Sequence, residues 1–208
     1  MLKSKHNKVI IGSGAKIGKF SIIGELPRDK KPGQLKTQIG KNALIRSHSV
    51  IYAGNVIGDN FETGHAVNIR EHNQIGDNVS IGTHSVIEHH VKIGHRVRIH
   101  SQVFIAEYSV IEKDVWIGPA ACLLDARYPV CIDSKEHLQG SLIKKGAIIG
   151  AGTIIMPGII IGKQALIGAG AVVTKNIPDG KVAIGNPAKI YKDRSELKTS
   201  WGKPYDKI

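Results

Sequence analysis

The chain has 208 residues, enough for one domain with a sizeable core. Aromatic residues make up only 5% and Gly numbers 24, so the core has to be built from small and β-branched side chains. The net charge of +12 attracts polyanions, but the basic residues are scattered, without a basic run or an aromatic stacking platform. This pattern argues against dedicated nucleic-acid binding.

The N-terminal segment and the rest of the sequence lack the apolar runs of a signal peptide or a membrane span. We therefore expect no membrane insertion and a cytoplasmic location. The two cysteines, Cys122 and Cys131, are then expected to be reduced thiols without a disulfide framework.

An aliphatic residue recurs every six positions along most of the chain. The first series begins at Ile11, the second covers residues 39–123 with only Thr63 not aliphatic, and the third covers residues 143–173. A period of six fits neither an amphipathic helix nor an alternating strand. It is typical of short strands joined by tight turns, three of which close one triangular coil. The sequence therefore predicts an all-β chain that forms a parallel β-helix of hexapeptide repeats.

Two segments break this phase, residues 25–38 and residues 125–145. Because the coils of a β-helix stack tightly, each segment is expected to leave the prism as a protruding loop at a corner, where binding sites are common. The repeat ends near the C-terminus. We assign residues 1–187 to the β-helix domain and residues 188–208 to a short C-terminal helix or tail.

The stretches VWIGPAACLLDARYP and SLIKKGAIIGAGTIIMPGIIIGKQALIGAGAVVTKNIPDGKVAIGNPAKI resemble the hexapeptide-repeat acyltransferases. The resemblance covers nearly the whole chain and is strongest to the sugar-nucleotide N-acetyltransferases. It implies a left-handed β-helix, acetyl-CoA as donor, and a homotrimer with sites between neighbouring prisms. The implied reaction is acetylation of the amine of a UDP- or dTDP-linked amino sugar in surface-polysaccharide biosynthesis.

Coil arithmetic indicates which side chains gather below the second loop. Residues 18 positions apart stack on one corner, roughly 4.8 Å apart. Counting back from Asp125 gives a column with Glu107, His89 and Glu71, and the adjacent column contains Tyr108, His90 and His72. Amide formation requires a group that accepts the amine proton. We predict that Asp125 orients the amine and that Glu107 or His89 helps to remove its proton.

The remaining acceptor contacts are assigned to side chains of this corner and of the loop above it. The candidate acceptor-binding residues are Glu71, His90, Tyr108, Arg127, Tyr128 and His137.

The resemblance also bears on the choice of base. Relatives in the sugar N-acetyltransferase group usually carry Asn where this chain has Asp125, and that Asn lies at the acceptor amine. The small-molecule O-acetyltransferases use a His before Pro in this loop, but Tyr128-Pro129 stands here, which counts against O-acetylation of a simple sugar or antibiotic. A subgroup with Ile-x-His at a turn makes His95 and His65 second choices for the base.

The same resemblance places the donor along the C-terminal coils. Small residues there leave room for a pantetheine arm, although tight turns alone would also favour them, and lysines can meet the phosphates of CoA. The candidate cofactor-binding residues are Gly150, Ala151, Gly168, Ala169, Gly170, Lys175, Lys181 and Lys189.

A zinc site is the main competing interpretation of the histidines. Gly94-His95 and His100 reproduce the Gly-His-x4-His spacing of the γ-class carbonic anhydrases, which share this prism. Zinc there needs three histidines, but Gly82 occupies the in-phase position and His84 is displaced. We therefore expect no metal. A zinc protein, an O-acyltransferase for another small acceptor and a non-catalytic binding scaffold stay open as alternatives.

Overall fold

The computed structural model describes residues 2–3 and 8–205, with side chains over residues 8–205. It is a left-handed parallel β-helix with three sheets. Sheet A contains β1 (Leu2–Lys3), β4 (Ile22–Glu25), β7 (Val50–Tyr52), β10 (Asn68–Ile69), β13 (Val86–Ile87), β16 (Phe104–Ile105), β19 (Cys122–Leu123), β22 (Ile154–Ile155) and β25 (Val172–Val173). Sheet B contains β2 (Lys8–Ile11), β5 (Lys36–Ile39), β8 (Val56–Ile57), β11 (Gln74–Ile75), β14 (Lys92–Ile93), β17 (Val110–Ile111), β20 (Leu142–Ile143) and β23 (Ile160–Ile161). Sheet C contains β3 (Lys16–Ile17), β6 (Leu44–Ile45), β9 (Glu62–Thr63), β12 (Ser80–Ile81), β15 (Arg98–Ile99), β18 (Trp116–Ile117), β21 (Ile148–Ile149), β24 (Leu166–Ile167), β26 (Lys181–Ile184) and β27 (Lys189–Asp193).

The six-residue phase sets both the core and the register. Within the regular coils each strand pairs in parallel with the strand 18 residues further on, so that Ile87 lies beside Ile105 and Ile105 beside Leu123. From Ile23 onward the phase-setting aliphatics point inward and are buried, and Thr63 is buried among them. The predicted all-β, left-handed β-helix of hexapeptide repeats is therefore confirmed.

Both phase breaks leave the prism at the corner between sheet A and sheet B, which we call the loop corner. Loop 1 covers residues 26–35 and loop 2 covers residues 124–141, which includes a 3₁₀ turn at Ser134–His137. Both loops are shorter than predicted, because strands β5 and β20 resume at Lys36 and Leu142, before the predicted loop ends at residues 38 and 145.

The segment after residue 187 contributes more sheet than helix. Strand β27 pairs antiparallel with β26, and a 3₁₀ turn at Arg194–Glu196 follows it. The Arg194 guanidinium is buried and donates to the carbonyl oxygens of Gly146 and Gln164 at 3.1 and 2.9 Å, which ties the C-terminal segment to the corner between sheets B and C. Among the described residues, no helix has the length and apolarity needed to cross a membrane.

Candidate functional site

The loop corner brings together the predicted column of acids and imidazoles. His89 Nε2 lies 2.9 Å from Glu107 Oε1, and the Glu107 carboxyl is hydrogen-bonded to the Asp125 carboxyl one coil above. The other His89 nitrogen, Nδ1, lies 2.8 Å from Nδ1 of His90. The structure therefore links four of the predicted site residues in one hydrogen-bonded chain that ends at the base of loop 2.

Among the acids and imidazoles of this corner, Glu107 has the most strongly shifted pKa. Burial, the hydrogen bond with Asp125, and the negative charges of Asp125 and Glu88 raise the pKa of Glu107 to about 7. A hydrogen bond between two carboxyl groups requires one of them to carry a proton. With this pKa, Glu107 holds or releases a proton near neutral pH, as a general base requires.

Arg70 anchors the lower part of the column, and the sequence analysis missed it. Its guanidinium donates to both carboxylate oxygens of Glu71 at 2.9 and 3.1 Å, reaches Glu88 at 3.4 Å and lies 5.1 Å from the ring centre of Tyr52. Burial acts to raise the pKa of Glu71, but the hydrogen bond and charge of Arg70 outweigh it and the pKa is lowered. Glu71 is thus held as a carboxylate two coils below Glu107.

The second predicted column forms a stack of rings beside the first. The ring centres of His72 and His90 lie 5.0 Å apart, and those of His90 and Tyr108 lie 5.5 Å apart. All three residues occupy the left-handed backbone region, with φ values of 60°, 58° and 59°. Burial, followed by the charge of a neighbouring histidine, lowers the pKa of His72 and of His90. Both rings are consequently uncharged at neutral pH.

Loop 2 closes directly above this corner. The Gln139 backbone N–H donates to the Asp125 carbonyl at 2.8 Å, and Gly140 passes so close to the Tyr108–Ser109 backbone that a Cβ would approach within 3 Å. The loop encloses a cavity of about 500 Å³. Predicted residues among its lining are Arg127, Tyr128 and His137. These three lie together in the loop, whereas Asp125 and Glu107 do not line this cavity.

The predicted donor residues do not form one cluster. Gly150, Ala151 and residues 168–170 lie on the corner between sheets C and A, while Lys175 lies on the loop corner. A Cβ at Gly150 would meet the backbone of the next coil within 3 Å, so close stacking alone already requires this glycine. Of the other two lysines, Lys181 is paired with Asp193 at 2.6 Å and Lys189 begins β27.

The histidines of the competing interpretations lie apart from one another. His95, on the corner between sheets B and C, lies 3.2 Å from Asp77, whereas His100 packs against Trp116 with ring centres 4.7 Å apart. His65, on the corner between sheets C and A, shares a hydrogen bond with Ser47 at 2.9 Å. Within residues 8–205, no three His, Cys, Asp or Glu side chains are arranged to hold a metal ion.

Three sheets of short strands that recur every six residues, with a polar corner below an inserted loop, define a β-helix of hexapeptide repeats. The family model described as bacterial transferase hexapeptide (six repeats) matches residues 74–107 and 140–175. The matched ranges include Glu107 and the His89–His90 pair.

Solved structures similar to this chain include three acetyltransferases. A serine acetyltransferase in complex with CoA is 31% identical, over 55% of this chain and 42% of that chain, with a TM-score of 0.41. A variant of perosamine N-acetyltransferase from Caulobacter crescentus, in complex with CoA and GDP-perosamine, is 18% identical over 90% of this chain and 98% of that chain, with a TM-score of 0.44. The acetyltransferase domain of PglB from Neisseria gonorrhoeae FA1090, in complex with acetyl coenzyme A, is 16% identical over 89% and 100%, with a TM-score of 0.47.

The chain thus spans less than half the length of the serine acetyltransferase that it matches. A comparison with curated proteins gave no match.

Proposed function

We propose that the protein is an acetyl-CoA-dependent N-acetyltransferase that acts on the amine of a UDP- or dTDP-linked amino sugar in surface-polysaccharide biosynthesis. The observation that carries this proposal is Glu107, which lies 2.9 Å from His89 and below Asp125, and whose pKa is raised to about 7. Acetyl transfer to an amine needs such a group, because the attacking amine must be uncharged and must lose a proton.

The roles follow from the balance of the reaction. The amine nitrogen forms a bond with the acetyl carbon, the carbon–sulfur bond breaks, and CoA leaves as the thiol. We assign Asp125 to accept a hydrogen bond from the amine, and ionised Glu107 to take the proton that the amine loses. Where relatives have Asn, the negative charge of Asp125 strengthens its hydrogen bond to the amine.

His89 gives that proton a path away from the amine. A neutral imidazole carries one proton, on either nitrogen. If Nε2 carries it, His89 donates to Glu107 and accepts from His90; if Nδ1 carries it, His89 donates to His90 and accepts from protonated Glu107. Switching between these two arrangements moves a proton from Glu107 toward the exposed ring stack.

A homotrimer would bring donor and acceptor together. The loop corner and the corner with Gly150 flank opposite edges of sheet A. Three prisms that turn sheet A toward a common axis place the loop corner of one chain beside the donor corner of the next. We therefore propose that acetyl-CoA, held by the small residues and Lys175 or Lys189, reaches Glu107 across this interface, in the cytoplasm.

The test uses the full chain with acetyl-CoA and a panel of UDP- and dTDP-linked amino sugars, following thiol release. We expect turnover with a member of the panel, and a loss of about 100-fold or more in Asp125→Ala, because proton transfer and amine orientation depend on this corner. Asp125→Asn, which restores the residue of the relatives, should retain more activity than Asp125→Ala.

Glu62→Ala is the matched control, because Glu62 is an exposed acid on the outer face of sheet C, away from the loop corner. It should turn over like the wild type. Full turnover by Asp125→Ala would remove Asp125 from the site. Absence of transfer, together with absence of saturable acetyl-CoA binding, would contradict the proposed function and favour a non-catalytic scaffold.

A further inference from the structure

Loop 1 and loop 2 lie at the lower and upper ends of one strip of the loop corner. This strip extends from Glu71 and His72 to Glu107 and Tyr108. Loop 1 joins the prism where the Ala53 N–H donates to the Glu25 carbonyl at 2.7 Å, and loop 2 joins it where the Gln139 N–H donates to the Asp125 carbonyl at 2.8 Å. Ala53 and Asp125 are four coil steps apart, which is about 19 Å at roughly 4.8 Å per step. The acids and imidazoles of the candidate site form the floor between the loops.

Loop 1 carries positive charge that its own acid does not neutralise. Arg28, Lys30 and Lys31 are exposed, with only Asp29 between them, and none of these cations forms an ion pair within residues 8–205. The loop is nevertheless ordered by two turns. The Lys30 N–H donates to the carbonyl of buried Pro27 at 3.1 Å, and the Lys31 N–H donates to the Gln34 side chain at 2.8 Å.

Loop 1 adjoins the lower end of the candidate site, because its base is tied to Ala53, which lies one coil step below Glu71. His72, at the lower end of the ring stack, lies close enough to Lys30 that the Lys30 charge contributes to the lowered pKa of His72, after burial and the charge of His90. The His72 ring packs directly on Gly54, since a Cβ there would come to 3.0 Å from the ring. The base of loop 1 therefore lies one coil step below His72, and His72 lies two coil steps below Tyr108, or about 10 Å.

We infer that loop 1 is the binding site for the phosphates of a nucleoside diphosphate, the nucleotide portion of the acceptor. Arg28, Lys30 and Lys31 would hold the diphosphate by charge-assisted hydrogen bonds, with the sugar above it on the strip and its amine at Asp125. The placement of the amine rests on the proposed function. The proposed phosphate site depends only on loop 1. It gives a function to this loop, which the proposed proton transfer at Glu107 does not involve.

CoA also carries phosphates, so the experiment has to separate the two ligands. UDP and CoA are titrated separately by calorimetry into the wild type, into Lys30→Ala/Lys31→Ala and into the control Lys41→Ala/Lys92→Ala. The control removes the same charge from exposed positions outside the loop corner. We expect UDP binding to weaken about tenfold or more in the loop 1 variant only, with CoA binding unchanged in all three proteins.

Three results would overturn the inference: UDP affinity unchanged in the loop 1 variant, an equal loss in the control, or a loss confined to CoA. Its failure is distinct from failure of the proposed function. Acetylation of a nucleotide-linked amino sugar with an unchanged KM in the loop 1 variant would leave the function standing without this site. Loop-dependent UDP binding in a protein that transfers no acetyl group would leave the site standing without the function.

Discussion

At the scale of single residues, the loop corner shifts the pKa values of two glutamates in opposite directions. Glu71 receives two hydrogen bonds from Arg70, which stabilise its charge. Glu107, two coils higher, meets a second carboxyl group instead, and its side chain is only 21% exposed. Opposite and like charges thus move the two pKa values in opposite directions on one stack.

The raised pKa of Glu107 has a consequence for stability that needs no substrate. Because its folded-state value of about 7 lies above the ordinary glutamate value of 4.5, the folded state binds this proton more tightly than the unfolded state. The associated stability is present below pH 4.5 and is lost as the pH rises through about 7. Glu107→Gln is neutral throughout, so its Tm should rise relative to the wild-type Tm between pH 5 and pH 8.

Thermal unfolding at several pH values across this range checks the prediction, with exposed Glu62→Gln as the control that should follow the wild type. A Tm difference between Glu107→Gln and wild type that stays constant with pH would show that Glu107 titrates like an ordinary surface acid.

At the scale of elements, Gly140 fixes where loop 2 returns to the prism. A Cβ at this position would come within 3 Å of backbone atoms of residues 107–109, which cannot move without disturbing the coil below. Gly140→Ala should therefore lower the free energy of unfolding by about 3 kcal/mol, the upper part of the range for overpacking. The change also displaces the Gln139–Asp125 hydrogen bond and should reduce any acetyl transfer.

Urea unfolding at one protein concentration measures the loss in the free energy of unfolding. Gly152→Ala is a control with the same added methyl group, since Gly152 has a φ of +65° but open space around it, and its cost should be about 1 kcal/mol. A smaller loss of stability for Gly140→Ala than for Gly152→Ala would contradict the close packing of the loop base.

The elements also show what the sequence could and could not predict. The six-residue phase predicted the strands and the stacking of Glu107 on His89, because the register of a β-helix repeats every 18 residues. It did not predict the loop ends, since loss of phase does not reveal whether Lys36 or Leu142 already lies in a strand. Arg70 was also missed, although the spacing of 18 residues to Glu88 offered the signal.

At the scale of the molecule, the three outer faces of the prism differ in polarity. Sheet A presents apolar side chains at the outward positions of its strands from β4 to β25, except Glu25 at the end of β4 and Asn68 in β10. Sheets B and C interrupt their outward rows with charged or exposed polar residues such as Lys92, Glu62 and Arg98. A mostly apolar face on a protein with a net charge of +12 supports the proposed contact of sheet A with other copies of the chain.

The proposed trimer therefore predicts that a charge on sheet A is far more disruptive than the same charge on sheet B. Phe104 lies in the middle of the outward row of sheet A, and Val56, which is 49% exposed, lies on the outer face of sheet B. We expect Phe104→Glu to dissociate the assembly, because three unpaired carboxylates would be buried near its axis, whereas Val56→Glu should leave it intact. Light scattering after size-exclusion chromatography reads the mass directly. In the proposed trimer, the donor and acceptor corners meet across this interface. The dissociated Phe104→Glu chain should therefore bind UDP through loop 1 yet transfer no acetyl group. A monomeric chain that retained turnover would place the complete site on one prism.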